Sequence, residues 1–527
     1  MQSKYLKKIR VLISLVFFIL TVFIFIDFTG WISNRLTGSL LYLQFVPSLL
    51  KFIGLLTVAS AGFLFIVLLT FFFGRVYCST VCPLGTLQDI FSWISNKTKI
   101  SRRFTYSKPK SIVRYSILGG LVLLLFIPSI FLLNLLDPYS LAGKIFSNLF
   151  RPLYYLGNNM LARVFQSMDN YSLYSVQVKV VSWAPVLFSF VFLLVIFFLA
   201  VFKGRWYCNV ICPVGTSLGI LSKISFFRIA INEKACTSCG MCSKKCKSEC
   251  IDVRNKKIDF SRCVACFDCF RACPEDGIGY RFSGPDFVFS RKGRGSYAED
   301  KETELSRRKF IRTTILGTTA IFASKFVFGG KKEERKGIST LPVTPPGSVS
   351  IWHYTEKCTA CHLCVSACPT KVLQPTFMEF GISGMFQPRM DFHTEYCNFE
   401  CVKCSEVCPT GAILPLTKAQ KSTVQIGTSK FIKNLCIVVT KHTACGACSE
   451  HCPTKAVEMV PYLGTLTLPK IDEKICVGCG ACEFACPTKP DKAIYVEANP
   501  YHRKAMKPKK NLQDKKQLNK ATGDFPF

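Results

Sequence analysis

Four runs of about 20 apolar residues, the length a helix needs to cross a bilayer, lie near 10–27, 52–73, 112–136 and 183–202. The charges between them are one-sided. Lys4, Lys7, Lys8 and Arg10 precede the first run, and Arg75, Lys97, Lys99, Arg102, Arg103, Lys108 and Lys110 lie between the second and third. Residues 28–51 and 137–182 hold few basic side chains for their length. Excess Lys and Arg mark the cytoplasmic loops of a membrane protein. The N-terminus, the 74–111 loop and the residues just after 202 are therefore predicted to be cytoplasmic. Buried helices of a soluble core are the alternative, but they would not sort charge by side.

After the membrane part (1–225) the pattern changes. Residues 226–280 are polar and Cys-rich, a small soluble module, and a charged linker (281–305) follows. Ser306-Arg307-Arg308-Lys309-Phe310-Ile311 opens a mildly apolar stretch (306–330), and a second linker (331–350) contains Pro345-Pro346-Gly347. Residues 351–497 form a second Cys-rich module, and the basic tail 498–527 is expected to be disordered.

The membrane half repeats itself 130 residues on. Gly74-Arg75-x-Tyr77-Cys78 matches Gly204-Arg205-x-Tyr207-Cys208, and Cys82-Pro83-x-Gly85-Thr86 matches Cys212-Pro213-x-Gly215-Thr216. Such an offset implies two duplicated two-helix halves packed as a pseudo-symmetric bundle. Both motifs are predicted at the cytoplasmic ends of spans. Cys-x3-Cys would put two thiols on one helical face, with Pro opening a new helix. Two facing pairs suit one [4Fe–4S] cube, a redox thiol site or Cu(I); inert buried cysteines would not need the same register twice.

The other cysteines fall into runs. Cys236, Cys239, Cys242, Cys246 and Cys263, Cys266, Cys269, Cys273-Pro274 follow the bacterial ferredoxin spacing, in which the fourth cysteine ligates the other cluster. The expected sets are Cys236, Cys239, Cys242 with Cys273, and Cys263, Cys266, Cys269 with Cys246. Small residues such as Gly240 let backbone N–H groups approach the sulfurs. Cys246-Lys247 replaces the usual Cys-Pro, and Cys250 is expected to be a spectator. Four more groups follow: Cys358, Cys361, Cys364, Cys368; Cys397, Cys401, Cys404, Cys408; Cys436, Cys445, Cys448, Cys452; and Cys476, Cys479, Cys482, Cys486. The middle two have stretched first gaps. Zinc sites rarely place three cysteines within seven residues before Cys-Pro, so six [4Fe–4S] clusters are predicted, with a seventh centre open at the repeated motifs. Cys358-x2-Cys361-His362 matches a haem-attachment pattern, but haem there would strand Cys364 and Cys368. The predicted fold class is a membrane α-helical bundle of four spans, a fifth signal-anchor span, and two ferredoxin-like α+β iron–sulfur modules.

Composition sharpens this. All six histidines lie after residue 350, so the membrane part cannot hold bis-histidine haem. Residues 1–232 contain no glutamate and only Asp27, Asp89, Asp137 and Asp169 as carboxylates. Quinol oxidation needs a proton acceptor near the membrane surface, and Asp27 and Asp137, at predicted outer helix ends, are the candidates beside their ordinary use as caps. No phosphate loop, dinucleotide fingerprint or catalytic triad is present; no flavin, no haem and no organic-substrate site is predicted. The formal charge of +34 at first suggests nucleic acid or anionic lipid. Six cubes at about −2 each bring it to about +22, and nucleic acid is not an expected partner. The Ser-Arg-Arg-Lys-Phe-Ile stretch reads as a twin-arginine export signal, a route that carries folded cluster domains.

These motifs carry a resemblance. Residues 1–280 resemble the NapH-type membrane component of quinol dehydrogenases, with its four spans, two Cys-x3-Cys-Pro motifs and two-cluster module. Residues 306–490 resemble the NapG- and MauM-type four-cluster component, with its twin-arginine signal. The resemblance implies a fusion of the two in a bacterial inner membrane, multi-pass, with 226–305 cytoplasmic and 331–527 periplasmic. It implies quinol as substrate, the quinone pool and membrane lipid as surroundings, and a periplasmic reductase or cytochrome as acceptor. It also implies that the first and fourth groups of 351–497 exchange last ligands, Cys486 joining Cys358 and Cys368 joining Cys476, as do the second and third. Related Cys-x3-Cys-Pro proteins act in copper handling or as electron donors in metalloenzyme maturation, which is the rival reading.

Overall fold

The computed structural model describes residues 3–27, 31–55, 61–98, 104–125, 130–176, 182–282 and 341–506. The linker from 283, the twin-arginine-like stretch 306–330, residues 331–340 and the tail from 507 lie outside the described residues.

Helix α1 (Ser3–Ile26) and a helix at Trp183–Lys203 are long and apolar enough to cross a membrane. The chain then differs from a simple row of spans. Helices α2 (Asn34–Tyr42) and α3 (Phe45–Leu55) form an apolar pair bent by 96°, a re-entrant-like element that the 28–51 segment did not announce. The second and third apolar runs appear as α4 (Gly62–Phe73) and, after α5 (Tyr77–Thr80) and α6 (Pro83–Lys97), as α7 (Ser111–Leu125). Both are shorter than a span within the described residues. Helices α8 (Phe131–Leu136), α9 (Pro138–Ile145), α10 (Arg151–Gln166), α11 (Trp183–Lys203) and α12 (Pro213–Ser222) complete the bundle, with π-helical turns at Phe146–Phe150 and Tyr207–Ile211.

The first module hangs on β1 (Phe227–Ile231), paired antiparallel with the last strand of the module, Ile278–Phe282; between them β2 (Ile251–Asp252) pairs β3 (Lys257–Ile258). It sits against the N-terminal end of α1. Lys7 pairs with Asp268 at 2.6 Å, and Asp89 of α6 gathers Arg10 (2.7 Å), Arg205 (2.8 Å) and Lys247 (3.3 Å). The second module packs at the other end of α1. Arg151 donates to the carbonyls of Val365 (3.1 Å) and Ser366 (2.8 Å), and the Phe188 ring meets that of Phe386 in a tilted contact. From Lys7, at the first module, to Phe25, near the second, α1 rises about 27 Å at 1.5 Å per residue.

Two boundaries move. The last strand of the second module, Ile494–Lys504, pairs with Val424–Phe431 through Lys504↔Val424, so the tail starts after the strand and not at 498. Residues 341–350 belong to the module as well: the Met390 N–H donates to Val343 O at 2.9 Å and the Leu414 N–H to Gly347 O at 2.9 Å.

Removing one member of a buried ion network leaves the others uncompensated, at about 3–5 kcal/mol. Asp89→Asn is therefore expected to lower the melting temperature of the detergent-solubilised protein clearly, while exposed Asp169→Asn leaves it unchanged. In the second module, burial holds the His502 imidazole down to about 4, with Nε2 2.9 Å from Thr344 Oγ1. Its folded pKa lies below the unfolded value of about 6.5, so the stability it contributes is present above that value and is lost as pH falls toward 4. His502→Gln is expected to flatten the loss of module stability between pH 6.5 and 4 in denaturant titrations.

Candidate metal centres

Every Cys-x2-Cys-x2-Cys loop bends the same way. The residues flanking the second cysteine have positive φ in all four regular groups: Ser238 and Gly240, Ala265 and Phe267, Ala360 and His362, Gly478 and Gly480. Alternating right- and left-handed backbone turns N–H groups into a concavity that suits an anion. Five of these eight positions are not glycine, so the local strain is held by the surrounding fold.

Cavities and electrostatic neighbours sort the thiols. Cys236, Cys239, Cys242 and Cys273 line one cavity, and Cys246, Cys263, Cys266 and Cys269 line a second, the pairing expected from the sequence. Cys250 lines the second cavity too. It is 1% exposed, with Sγ 3.6 Å from Cys246 Sγ. A hydrogen bond from Cys250, with backbone N–H groups of Cys250, Ser248 and Glu249, holds the Cys246 thiol below the usual range.

In the second module the expected exchange is overturned. Cys364 neighbours Cys358, Cys361 and Cys408, and Cys404 neighbours Cys397, Cys401 and Cys368. Cys482 neighbours Cys476, Cys479 and Cys452, while Cys436, Cys445, Cys448 and Cys486 line one cavity. The first group thus exchanges its last cysteine with the second, and the third with the fourth. The reason is packing: the helix Leu363–Ala367 lies against Lys403–Val407, and Ala447–Glu450 against Ala481–Ala485, so each last cysteine meets the loop of its neighbour. The first two sets touch through Cys364 and Cys404, and the middle two through the Cys397 N–H to Cys479 O bond of 2.9 Å.

The repeated motifs make a different site. Cys78, Cys82, Cys208 and Cys212 are 3–4% exposed, and all six pairs among them are electrostatic neighbours. Each Cys-Pro starts a helix as expected, with Cys82 and Cys212 as extended N-cap residues. The paired cysteines therefore straddle a break and do not share one helical face. The site is also deeper than a helix end: Ser14 Oγ, about halfway along α1, lies 2.9 Å from Thr86 Oγ1. Two buried guanidinium groups cross over it. Arg75 donates to Cys208 O (3.1 Å) and stands 3.9 Å from Cys78 Sγ; Arg205 donates to Cys78 O (2.9 Å) and stands 3.8 Å from Cys208 Sγ. A Cβ at Gly85 would meet the Cys78 carbonyl and the Arg205 guanidinium, and one at Gly215 the Cys208 carbonyl and the Arg75 guanidinium. That close approach is why glycine stands at both positions.

Asp137 is the buried N-cap of α9, accepting from Ser140 N (2.9 Å) and Ser140 Oγ (2.7 Å). Asp27 accepts from Ile32 N at 3.2 Å. Neither lines a described cavity. Asp137 does neighbour Tyr77, Tyr207, Tyr139 and Lys144, a polar string between the four thiols and Cys361.

Two features escaped sequence reasoning. The arginines stand in the repeat, where they read as cytoplasmic-loop charge, and nothing in the sequence marks them as buried contacts. After each last cysteine of the second module comes Pro-Thr, and each threonine Oγ1 stands near that sulfur: 3.6 Å at Cys368, 3.9 Å at Cys408, 3.6 Å at Cys452 and 3.1 Å at Cys486. Burial pushes the Cys486 thiol up, but the Thr488 hydroxyl and nearby N–H groups outweigh it and hold the thiol below its ordinary value.

Among the described residues, no three Cys, His, Asp or Glu side chains close tightly enough to hold a single metal ion. Thiols spread around a cavity suit a four-iron cube, which takes one thiolate at each corner, and the inward N–H groups and buried guanidiniums suit its negative charge. The pairing is checked by iron per chain. Cys358→Ala/Cys408→Ala is expected to lose no more iron than either single variant, whereas Cys358→Ala/Cys486→Ala loses two clusters' worth.

The comparisons agree with this chemistry. The family described as "4Fe-4S binding domain" matches residues 55–101 and 185–232, the two halves of the repeat. The "4Fe-4S dicluster domain" matches 357–412 and 443–489, each enclosing most of one exchanged pair of groups. The chain is 26% identical over 191 residues to the methylamine utilization ferredoxin-type protein MauN of Methylobacillus flagellatus, covering 36% of this chain and 52% of that protein. It is 29% identical over 137 residues to the ferredoxin-type protein NapF of Escherichia coli, covering 26% and 74%. It is 28% identical over 186 residues to the ferredoxin-type protein MauM of Methylophilus methylotrophus, covering 33% and 79%. The chain thus spans about half of MauN and about three quarters of NapF and MauM. No solved structure matches it significantly. It carries 4Fe-4S domains of two kinds and is similar to ferredoxin-type proteins, and iron–sulfur electron transfer is the activity these support.

Proposed function

We propose that the chain is a membrane-embedded electron conduit, a NapH-like part fused to a NapG/MauM-like part. It takes electrons from quinol and passes them through six four-iron clusters and a seventh centre at Cys78, Cys82, Cys208 and Cys212. The acceptor is a reductase or cytochrome on the periplasmic side. One observation carries the reading: Cys266 of the first module, the four thiols of the repeat and Cys361 of the second module all belong to one buried apolar cluster. From Lys7, beside the first module, to Ser14, beside the four thiols, is about 10 Å along α1, and from Ser14 to Phe25, beside the second module, about 16 Å. Electron tunnelling falls exponentially with distance, so a redox centre between the modules divides one long gap into two short ones.

The neighbours described above give an order: the Cys236, Cys263, repeat, Cys358, Cys397, Cys476 and Cys436 centres. Clusters supply one-electron transfer when bound; the chain's residues supply spacing, counter-charge and exclusion of water. A fifth span in 306–330, expected from the sequence, belongs to this reading. Cytoplasmic placement of 226–305 and periplasmic placement of 331–527 follow from the basic loops. Asp137, held as a cap, is a weaker candidate for proton acceptor than it was on sequence.

A second donor is favoured by exposure. Cys239, in the terminal Cys236 centre, is exposed, which suits a soluble reduced ferredoxin docking on the cytoplasmic side. Proteoliposomes separate the donors. Reduced menaquinol is expected to reduce the clusters of the second module, and a quadruple Ser variant of Cys78, Cys82, Cys208 and Cys212 to stop that while keeping the other six clusters. Reduction by soluble ferredoxin alone would replace quinol as donor, and copper without iron at the four thiols would favour the maturation reading.

A further inference from the structure

At each of the four last cysteines of the second module a threonine hydroxyl two residues on stands 3.1–3.9 Å from the sulfur. Of the two equivalent cysteines of the first module, Cys273 is followed by Pro274 and Glu275 and accepts from the Gly277 N–H at 3.2 Å, and Cys246 is followed by Lys247 and Ser248. Lys247 is drawn away to Asp89 (3.3 Å) and Asp268 (3.2 Å). Ser248 holds the threonine's place in sequence, yet its buried Oγ finds no partner. The group beside the Cys246 sulfur is instead Cys250, 3.6 Å away, 1% exposed and also within hydrogen-bond reach of Cys263.

We propose that Cys250 is a positioning residue of the Cys263 centre: its thiol donates a hydrogen bond to the Cys246 sulfur, doing there what threonine does at the last ligands of the second module, and so raises the cluster's reduction potential. The proposal rests on reading Cys246, Cys263, Cys266 and Cys269 as one ligand set. The thiol is a weak donor, but the pair is enclosed, where a hydrogen bond is electrostatically stronger than in water. A donor to a ligand sulfur offsets charge that is larger in the reduced cube, and hydrogen bonds to the sulfurs are among the terms that set cluster potentials. The 3.6 Å separation also argues for this role over simple ligation, because two sulfurs that close cannot easily hold different corners of one cube.

The test is an EPR-monitored redox titration of the full-length detergent-solubilised protein with iron analysis. Cys250→Ala is expected to keep its iron and shift the midpoint of one cluster to lower potential. Cys250→Ser, which restores a donor, should return it toward wild type. An unshifted midpoint in Cys250→Ala overturns the proposal. So does loss of one cluster's iron in Cys250→Ala with none lost in Cys246→Ala, which would make Cys250 the ligand. If neither Cys246→Ala nor Cys263→Ala lowers the iron content, the ligand-set reading itself is what has failed.

Discussion

Among the described residues, Arg75 and Arg205 are the largest fully buried side chains, and a charged guanidinium inside an apolar bundle must be met by hydrogen bonds and counter-charge. The halves of the repeat meet this by reaching across to each other, each arginine taking the carbonyl of the other half's first cysteine. That crossing locks four thiols into one site and requires glycine at 85 and 215. The symmetry breaks beyond the carbonyls. Arg205 adds the carboxylate of Asp89, whereas Arg75 turns to Asn209 Oδ1 (2.9 Å) and Ser261 O (3.0 Å). Asp89 corresponds in the repeat to Gly219, a position that Arg114 crowds from outside. Through Asp89 and Ser261 the arginines also tie the helical bundle to the first module.

The ligand cysteines were legible because their spacing is a local property: three thiols within seven residues can face one centre without help from the rest of the chain. Which last cysteine joins which loop was not, because that depends on how short helices from different groups pack. The relative depth of the Cys-x3-Cys-Pro site was hidden for the same reason, since only the contacts of α1 reveal it. The tail was misread at 498–504 because Pro500, Arg503 and Lys504 look unlike a strand. The pairing shifts register between Ala498 and Arg503, and a proline that cannot donate to a ladder is tolerated at such an irregularity.

The two halves of the repeated motif serve different ends. At Cys-Pro the repeat located a helix start in both halves. At Gly-Arg-x-Tyr it marked buried polar contacts, which hydropathy alone does not distinguish from cytoplasmic loop charge. Arg75 and Arg205 count toward a positive-inside signal in the sequence, yet they are 0–1% exposed and serve the interior.

The surface between the bundle and the second module combines Arg151 on two helix-terminal carbonyls, the Asn134 amide on the Met385 carbonyl and the aromatic contact of Phe188 with Phe386. Separate chains would have to find this patch by diffusion and lose translational freedom on joining. Here both partners belong to one polypeptide, so docking is intramolecular and governed by an effective concentration set by the tether. A contact of modest polar character can then stay closed at any expression level, with a fixed stoichiometry of one second module to one helical bundle.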